Sequence, residues 1–247
     1  MSSVAENLIP RPNVQLIETD GEPLETLWHF MSIVLLIDSV RYHFHPRTDF
    51  FVGGNMFIYY SEEQARNRDY RGPDFFYVSD VDGTKERRWW AIWEEGGRYP
   101  DMIMELLSRT TAQTDRTTKK RIYERTFHTH EYFCYDPDTQ HLEGWRLGET
   151  GRYQDIQPNE QGWLRCEEFG LWLGTWTGKY LEHEGTFPRF YDDQGRLVLT
   201  FKEAEEQRAN MQEQRADVEK QRAEQALAEL VRLKAQLGDG KGSNGED

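Results

Sequence analysis

Three residues in the middle of the chain, Asp74, Glu105 and Lys119, are of the types that metal-assisted hydrolysis of a phosphodiester requires. Two carboxylates at the ends of neighbouring strands can chelate a hard cation such as Mg²⁺, which prefers oxygen ligands and keeps several waters. A nearby ammonium group can orient or deprotonate the attacking water and offset the negative charge that develops at phosphorus. The residue types predict this chemistry if the fold brings the three side chains together.

Glu105 is the least expected of the three, because it lies within an apolar stretch, PDMIMELLS at 100–108. The stretch is typical of a buried strand, in which side chains at i and i+2 share a face, so Glu105 points the same way as Ile103 and Leu107. An ionised carboxylate in apolar surroundings is costly unless hydrogen bonds or a cation compensate it. Glu105 therefore needs a structural partner or a chemical role.

The other two residues have plausible structural interpretations of their own. Asp74 belongs to a Gly-Pro-Asp turn that leads into a predicted strand, and an aspartate there can simply cap the turn. Lys119 belongs to a predicted helix over 114–127, where a lysine is commonly solvated. On residue type alone, the catalytic interpretation and the structural one both stay open.

The predicted elements around these residues alternate between helix and strand. Apolar residues between 24 and 35 recur at helical spacing, and acidic residues precede them, as is typical of a helix start. In the aromatic-rich segment 51–61, the sequence predicts strands that pair with each other around Gly53 and Gly54. Further strands are predicted at 72–81, 100–108 and 131–137. Residues 87–97 predict either an added strand or a loop. The order predicts an α/β (α+β) fold, a mixed sheet flanked by helices.

Composition divides the chain into four parts. Residues 1–19 form a predicted N-terminal arm, 20–200 the main domain, 201–237 a helical extension and 238–247 a disordered tail. Within the main domain, short strands after residue 138 and a hairpin around Asp193-Gln194-Gly195 predict a β-rich annex.

The helical extension carries a weak heptad pattern. Alanine or leucine recurs every seven residues from Ala209 to Leu237, and a companion position changes from Gln212 and Glu219 to Ala226 and Leu233. The pattern predicts a coiled coil through which two copies of the chain could form a homodimer. A solvated single helix stabilised by charge pairs is the alternative.

The charge balance limits the classes of partner. A net charge of −14 argues against a broad electrostatic footprint for nucleic acid, so a polyanion would have to meet a local basic patch. One candidate patch, or else a solvated helix face, combines six cations with two acids: Arg109, Arg116, Lys119, Lys120, Arg121 and Arg125 with Asp115 and Glu124. Only two cysteines, neither in a metal-spaced pair, and no long apolar run predict a cytoplasmic protein without a membrane segment.

Several short motifs occur together in an order that resembles a known family. The motifs are GPD at 72–74, ELLS at 105–108, Asp115 followed by Lys119 and Tyr123, and EYFCYDP at 131–137. The chain over 20–180 resembles the Uma-type bacterial restriction endonuclease family, which belongs to the PD-(D/E)XK nuclease superfamily. The resemblance implies a restriction-endonuclease-like fold for this mixed sheet. It also implies a metal-dependent DNA endonuclease that uses Mg²⁺, for which Mn²⁺ can substitute.

The resemblance also implies roles for individual residues. Asp74 matches the family's first metal-binding aspartate and Glu105 the acidic residue of the (D/E)XK motif. The lysine expected two positions later is absent, because position 107 is leucine, and Lys119 on the following helix matches its replacement; Lys120 is the alternative. Three further residues match supporting positions around the site: Glu22, His29 and Tyr123. For Glu22 and His29 the alternative is an ordinary surface residue.

Two other interpretations stay open at this point. The first is a catalytically inactive nucleic-acid-binding or assembly module that keeps the nuclease fold, which the acidic charge and the heptad pattern favour. The second is a zinc site built from HFH at 43–45 and HTHE at 128–131, which is weaker because no second ligand pair has regular spacing.

Overall fold

The computed structural model describes residues 12–18, 26–67 and 72–239 of the 247-residue chain. Two compact units, residues 1–200 and residues 201–247, are described separately. The described part of the predicted N-terminal arm, residues 12–18, forms neither helix nor strand. None of the helices in the described part of the chain is long and apolar enough to cross a membrane.

The first helix, α1, spans Leu27–Phe44 and confirms the helix predicted from the apolar spacing. Thr26 caps its first turn, because the threonine side chain accepts a hydrogen bond from the His29 backbone amide. The helix stops just before Pro46, since the residue preceding a proline is disfavoured in helical conformation. Its buried side chains pack against one face of the central sheet.

The central sheet has six strands in the order β1-β3-β5-β6-β7-β8. Strands β5 and β6 are parallel and the other neighbours are antiparallel, so the predicted mixed sheet is confirmed. The elements of this part of the chain are β1 Phe50–Gly53, β2 Ile58–Tyr59, α2 Glu62–Arg66, β3 Phe75–Ser79, β4 Trp90–Ala91, β5 Met102–Leu106, β6 Glu131–Asp136, β7 His141–Leu147 and β8 Tyr153–Asp155.

The predicted pairing of the aromatic segment 51–61 around Gly53 and Gly54 is wrong. Strand β1 pairs with β3 in the central sheet, whereas β2 pairs in parallel with β4 in a separate two-stranded sheet. Both strands are fully buried, so each gains more by packing inside the domain than by forming an exposed hairpin. Residues 87–97, for which a strand or a loop was predicted, contain the short strand β4.

Strand β5 is buried on both faces, and its side chains alternate between two cores. Met102, Met104 and Leu106 pack in the core that includes α1. Ile103 and Leu107 pack in the core on the opposite face. The predicted alternation is therefore confirmed, and Glu105 belongs to the second face.

A hydrogen-bonded clasp closes the connection between β3 and β5. The backbone amide and the hydroxyl of Ser79 both donate to Oδ2 of Asp101, at 2.7 and 2.8 Å. An Arg98 guanidinium nitrogen also donates to the Ser79 carbonyl at 2.8 Å. These contacts hold the two ends of the connection together beside the sheet.

A continuous helical stretch over residues 112–127, here called the site helix, covers the second face of β5. It consists of α3 Ala112–Thr114, the π-helical turn Asp115–Lys119, α4 Lys120–Ile122 and a second π-helical turn Tyr123–Phe127. Tyr123 and Phe127 are buried in the same core as Ile103, so the site helix packs on the face that carries Glu105. The helix predicted over 114–127 is confirmed.

The β-rich annex predicted after residue 138 is smaller than expected, because the first two strands after that residue, β7 and β8, belong to the central sheet. The annex is a three-stranded antiparallel sheet in the order β11-β10-β9. Its strands are β9 Leu164–Cys166, β10 Leu171–Tyr180 and β11 His183–Tyr191. The long hairpin turns at Leu181 and Glu182, whereas the turn predicted at Asp193-Gln194-Gly195 is followed only by a single bridge from Tyr191 to Leu197. Leu181 and Glu182 both have positive φ, and such residues give no turn signal in the sequence.

Glu131 connects the central sheet to the annex. Its carboxylate accepts hydrogen bonds from the Arg146 guanidinium on β7, at 3.0 and 2.8 Å. It also accepts from the backbone amides of Glu167 and Glu168, which follow β9, at 2.9 and 3.1 Å. A carboxylate with 1% exposure is tolerated here because these four donors and the Cys166 thiol satisfy it.

The described residues of the second unit form one long helix, α5 Phe201–Asp239. It confirms a helix over the predicted extension, and residues 238 and 239 of the predicted disordered tail belong to it. The rest of that tail lies outside the described residues. Several large apolar side chains on the helix are exposed: Met211, Val218, Leu227, Leu230, Val231 and Leu233.

Candidate active site

Asp74 lies directly before β3 at the edge where β5 ends. The antiparallel register pairs Phe75 with Met104, so one residue further along the ladder Asp74 comes level with Glu105. Its Oδ2 atom accepts a hydrogen bond from the Leu106 backbone amide at 2.7 Å. Burial raises the pKa of Asp74, against the opposing effect of Lys119 and of this amide. The backbone of Asp74 packs closely against Gly54, since a Cβ atom on Gly54 would lie 2.5 Å from the Asp74 carbonyl oxygen.

Glu105 is almost completely enclosed, with 1% of the residue exposed. The Tyr123 hydroxyl donates to its Oε1 atom at 2.9 Å, and the Lys119 Nζ atom lies 3.1 Å from the same oxygen. Burial raises the pKa of Glu105 to about 8, although the Lys119 ammonium opposes this shift. The carboxylate thus has structural partners, and both of them come from the site helix.

Lys119 is held between two carboxylates. Besides its contact with Glu105, its Nζ atom lies 2.7 Å from Oδ1 of Asp115, one helical turn earlier. Burial acts to lower the pKa of Lys119, but Glu105 and Asp115 outweigh burial and hold that pKa above its usual range. Lys119 is therefore a cation in this position.

Lys120 points away from this cluster. Its Nζ atom lies 3.6 Å from the centroid of the Trp145 ring, a cation–π contact on β7. Burial lowers the pKa of Lys120. Of the two lysines that the sequence offered, only Lys119 is brought to Glu105.

His29 reaches the same strand end from α1. Its Nε2 atom lies 3.2 Å from the Leu106 carbonyl oxygen, and its Nδ1 atom lies 2.9 Å from the Thr26 hydroxyl. Because a carbonyl oxygen only accepts, Nε2 carries a proton and donates it. The two peptide groups that flank Leu106 are thus both held, the Leu106 amide by Asp74 and the Leu106 carbonyl by His29. Glu22, the other predicted supporting residue, lies outside the described residues.

A pocket of about 720 Å³ opens beside this strand end. Its lining includes Trp28 and His29 from α1, Leu107 and Arg109 after β5, and Asp136 at the end of β6. Neither Asp74 nor Glu105 lines the pocket, so it adjoins the carboxylate cluster through His29 and the end of β5. A ligand in this pocket would lie next to the cluster.

The basic stretch 109–125 is largely neutralised by acids of the protein itself. Three of its arginines form ion pairs, namely Arg109 with Asp138, Arg116 with Glu143 and Arg125 with Glu124. Lys119 is paired inside the site as described above. The sequence of this stretch has six cations and two acids, but this count overstates the positive charge that the folded surface presents. The acids that pair with Arg109 and Arg116 come from the β6–β7 hairpin, which is distant in sequence.

The donor set fits a hard divalent cation better than zinc. Asp74 and Glu105 supply carboxylate oxygens, which hard cations such as Mg²⁺ prefer, whereas structural zinc sites are built mainly from Cys and His. Within residues 12–18, 26–67 and 72–239, no group of three or more His, Cys, Asp or Glu side chains is arranged to hold a metal. Of the proposed zinc ligands, His43 contacts the Phe169 carbonyl and His130 contacts Glu168.

Asp115 is the site residue to which the sequence assigned no role. In the sequence, Asp115 is one of the two acids within the basic stretch 109–125, and it is the first residue of the family motif that continues with Lys119 and Tyr123. Its burial and its contact with Lys119 bring it into the cluster. The spacing of four residues between an aspartate and a lysine on a predicted helix was the available signal.

Comparison with known proteins gives one family match. A sequence model of the family Uma2, described as "Putative restriction endonuclease", matches residues 9–175, a range that contains every residue of the cluster. A solved structure described as a "putative nuclease belonging to DUF820 from Anabaena variabilis ATCC 29413" is 14% identical, with a TM-score of 0.43, and the match covers 65% of this chain and 86% of that one. No curated protein matches.

Proposed function

The chain belongs to the Uma2 family of restriction-endonuclease-related proteins, and we propose that it is a Mg²⁺-dependent DNA endonuclease of the PD-(D/E)XK type. The observation that supports this most directly is the contact between Lys119 and Glu105. Leucine occupies the position where the motif expects its lysine, and Lys119 supplies an ammonium group to the same carboxylate from the site helix. A cluster of two carboxylates and a lysine is thus available at one strand end.

Each residue of the cluster has a proposed task. Asp74 and Glu105 hold the Mg²⁺ ion, for which Mn²⁺ can substitute, and the ion when bound supplies Lewis acidity and an activated water. The Lys119 ammonium lies where it can offset negative charge that develops on the phosphoryl oxygens. Tyr123 fixes the Glu105 carboxylate through its hydroxyl, and His29 fixes the Leu106 carbonyl at the end of β5. These two side chains restrict the motion of the groups that react.

A catalytically inactive nucleic-acid-binding or assembly module is the second candidate. The observation that favours it is the internal pairing of the arginines on the basic stretch, together with a net charge of −14. Because these pairs leave few arginines for phosphates, they favour an inactive assembly module over a protein that binds DNA through its surface charge. The carboxylate cluster would then serve only to stabilise the fold.

We also propose that α5 pairs with the same helix of a second copy. The heptad positions Ala223, Ala226, Leu230 and Leu233 follow one another at alternating spacings of three and four residues. Leu230 and Leu233 are 55% and 48% exposed in the single chain, so these apolar heptad positions are uncovered. A coiled-coil partner would cover them.

Nicking of supercoiled plasmid DNA tests the nuclease proposal. The wild-type protein is expected to nick the plasmid with Mg²⁺ or Mn²⁺ and to stop when EDTA is added. Glu105→Ala is expected to abolish nicking, while the control Glu143→Gln, which alters a carboxylate on β7, keeps it. Metal-dependent plasmid binding without nicking in the wild type would instead support the inactive module.

A further inference from the structure

Asp115 is a buried carboxylate that the proposed chemistry does not yet use. Its side chain is 2% exposed, and its Oδ1 atom lies 2.7 Å from the Lys119 Nζ atom. Burying an aspartate is costly, and Lys119 already has one carboxylate partner, because Oε1 of Glu105 lies 3.1 Å from its Nζ atom. The second carboxylate beside the same ammonium therefore needs an explanation.

The backbone of Asp115 is held independently of Lys119. Its carbonyl oxygen accepts a hydrogen bond from the Tyr132 hydroxyl on β6 at 3.0 Å, and its amide donates to the Thr111 carbonyl at 3.0 Å. These contacts attach the first π-helical turn to the central sheet. The Asp115 carboxylate consequently has a fixed place from which it can hold another group.

Lysine needs such a fixed partner more than most side chains do. Its four-carbon stem has many rotamers, and an ammonium that acts on a developing charge must be ordered before the reaction begins. Glu105 alone is a poor anchor, because a carboxylate that accepts a cation has less charge left to offer Lys119. With Asp115 as a separate partner, Lys119 stays paired when Glu105 turns to another ligand.

We propose that Asp115 is a positioning residue, which holds the Lys119 ammonium at the phosphodiester-cleaving site. This inference rests on the proposed nuclease function. Asp115 acts through Lys119 alone: it contacts neither the substrate nor the cation.

A double-mutant cycle measures this dependence. Asp115→Asn is expected to lower kcat for plasmid nicking by about tenfold or more while KM changes little, because the group that it orients acts in the transition state. In a Lys119→Met background the same substitution is expected to cost nothing further. Glu124→Gln is the matched control, since Glu124 is a carboxylate on the same helix that pairs with Arg152, and it is expected to leave kcat unchanged. Equal losses from Asp115→Asn in both backgrounds would overturn the proposal.

A second measurement does not depend on activity. Crystal structures of the metal-free Asp115→Asn and Glu124→Gln proteins give the position of the Lys119 Nζ atom. Asp115→Asn is expected to release Nζ from Glu105, while Glu124→Gln keeps the 3.1 Å contact. An unchanged Lys119 in the Asp115→Asn structure would overturn the positioning role even if the wild-type enzyme is active. A displaced Lys119 in a protein that never nicks DNA would uphold the positioning and overturn the proposed function instead.

Discussion

The Nζ atom of Lys119 lies 3.1 Å from Oε1 of Glu105, whereas the next residue along the chain, Lys120, places its ammonium over the Trp145 ring. Consecutive helical residues point about 100° apart, so one turn of the site helix can serve two different surfaces. The two lysines therefore make a matched pair of substitutions with equal chemistry and different surroundings.

Lys119→Ala is expected to lower the rate of DNA cleavage by on the order of a hundredfold, the scale of losing one electrostatic group that acts in the transition state. Metal affinity should stay nearly normal, because the proposed ligands remain. Lys120→Ala is the control and should be milder. Single-turnover cleavage rates of both variants check this, and a reversal of their order would assign the catalytic role to Lys120.

Asp74→Asn is expected to weaken the binding of Mg²⁺ or Mn²⁺ by at least about tenfold, because an amide oxygen carries no charge for a hard cation. Isothermal titration calorimetry measures the affinity directly and needs no DNA. Asp138→Asn removes an exposed carboxylate that pairs with Arg109, and it serves as the control. Unchanged affinity in Asp74→Asn would remove this residue from the metal site.

The metal-free protein is expected to lose stability as the pH rises toward about 8. Burial raises the pKa of Glu105 from the usual 4.5 to about 8, so between these values the folded chain keeps a proton that the unfolded chain has lost. The stabilising contribution is complete below pH 4.5 and disappears as the pH passes through the folded pKa.

A cation competes with this proton, so Mg²⁺ should raise the Tm more at about pH 9 than at about pH 6. Thermal unfolding in EDTA and in excess Mg²⁺ measures both effects. In Glu105→Gln, which cannot titrate, the contribution of this residue to both pH trends should be absent. Equal Mg²⁺-induced shifts at the two pH values in the wild type would contradict the prediction.

Glu131→Gln is expected to destabilise the first unit by about 3 kcal/mol, because it removes the buried charge that Arg146 and two backbone amides share. Glu167 also pairs with Arg146, but its side chain is 61% exposed. Glu167→Gln should therefore change the free energy of unfolding by only about 0.5 kcal/mol. Urea denaturation measures the free energy of unfolding of both variants. A similar loss of stability in Glu131→Gln and Glu167→Gln would mean that Glu131 is not the main connection to the annex.

Deletion of residues 201–247 is expected to leave a folded first unit, since its sheets and cores are complete without α5. If α5 forms the homodimer, light scattering should show the truncated protein as a monomer. Leu230→Lys should have the same effect in the full chain, whereas Val231→Lys, off the heptad seam and 62% exposed, should not. A truncated chain that fails to fold would show that the domain boundary is misplaced.

The sequence predicted the site more fully than the strand pairing. Apolar periodicity identified β5 and the site helix, and the family motifs selected Asp74, Glu105 and Lys119. Long-range relationships were not visible. The partner of β1 is β3 rather than β2, and the acids that neutralise Arg109 and Arg116 lie on a later hairpin. Such pairings depend on which surfaces the whole fold buries, and local patterns carry little information about them.

Because of the Ser79–Asp101 clasp, the distance between Asp74 and Glu105 does not depend on how many residues connect β3 to β5. Asp74 and Glu105 lie opposite each other because of the register in which β3 pairs with β5. The clasp joins the two ends of the connection beside the sheet. Lengthening a closed loop adds only about 0.6 kcal/mol for each doubling of its length. Insertions beyond the clasp are therefore nearly neutral for the spacing of the two carboxylates. The exposed residues 84–86 of this connection, which precede the buried strand β4, are where homologues can diverge in length, and where a reporter domain can be inserted, while the distance between the carboxylates is kept.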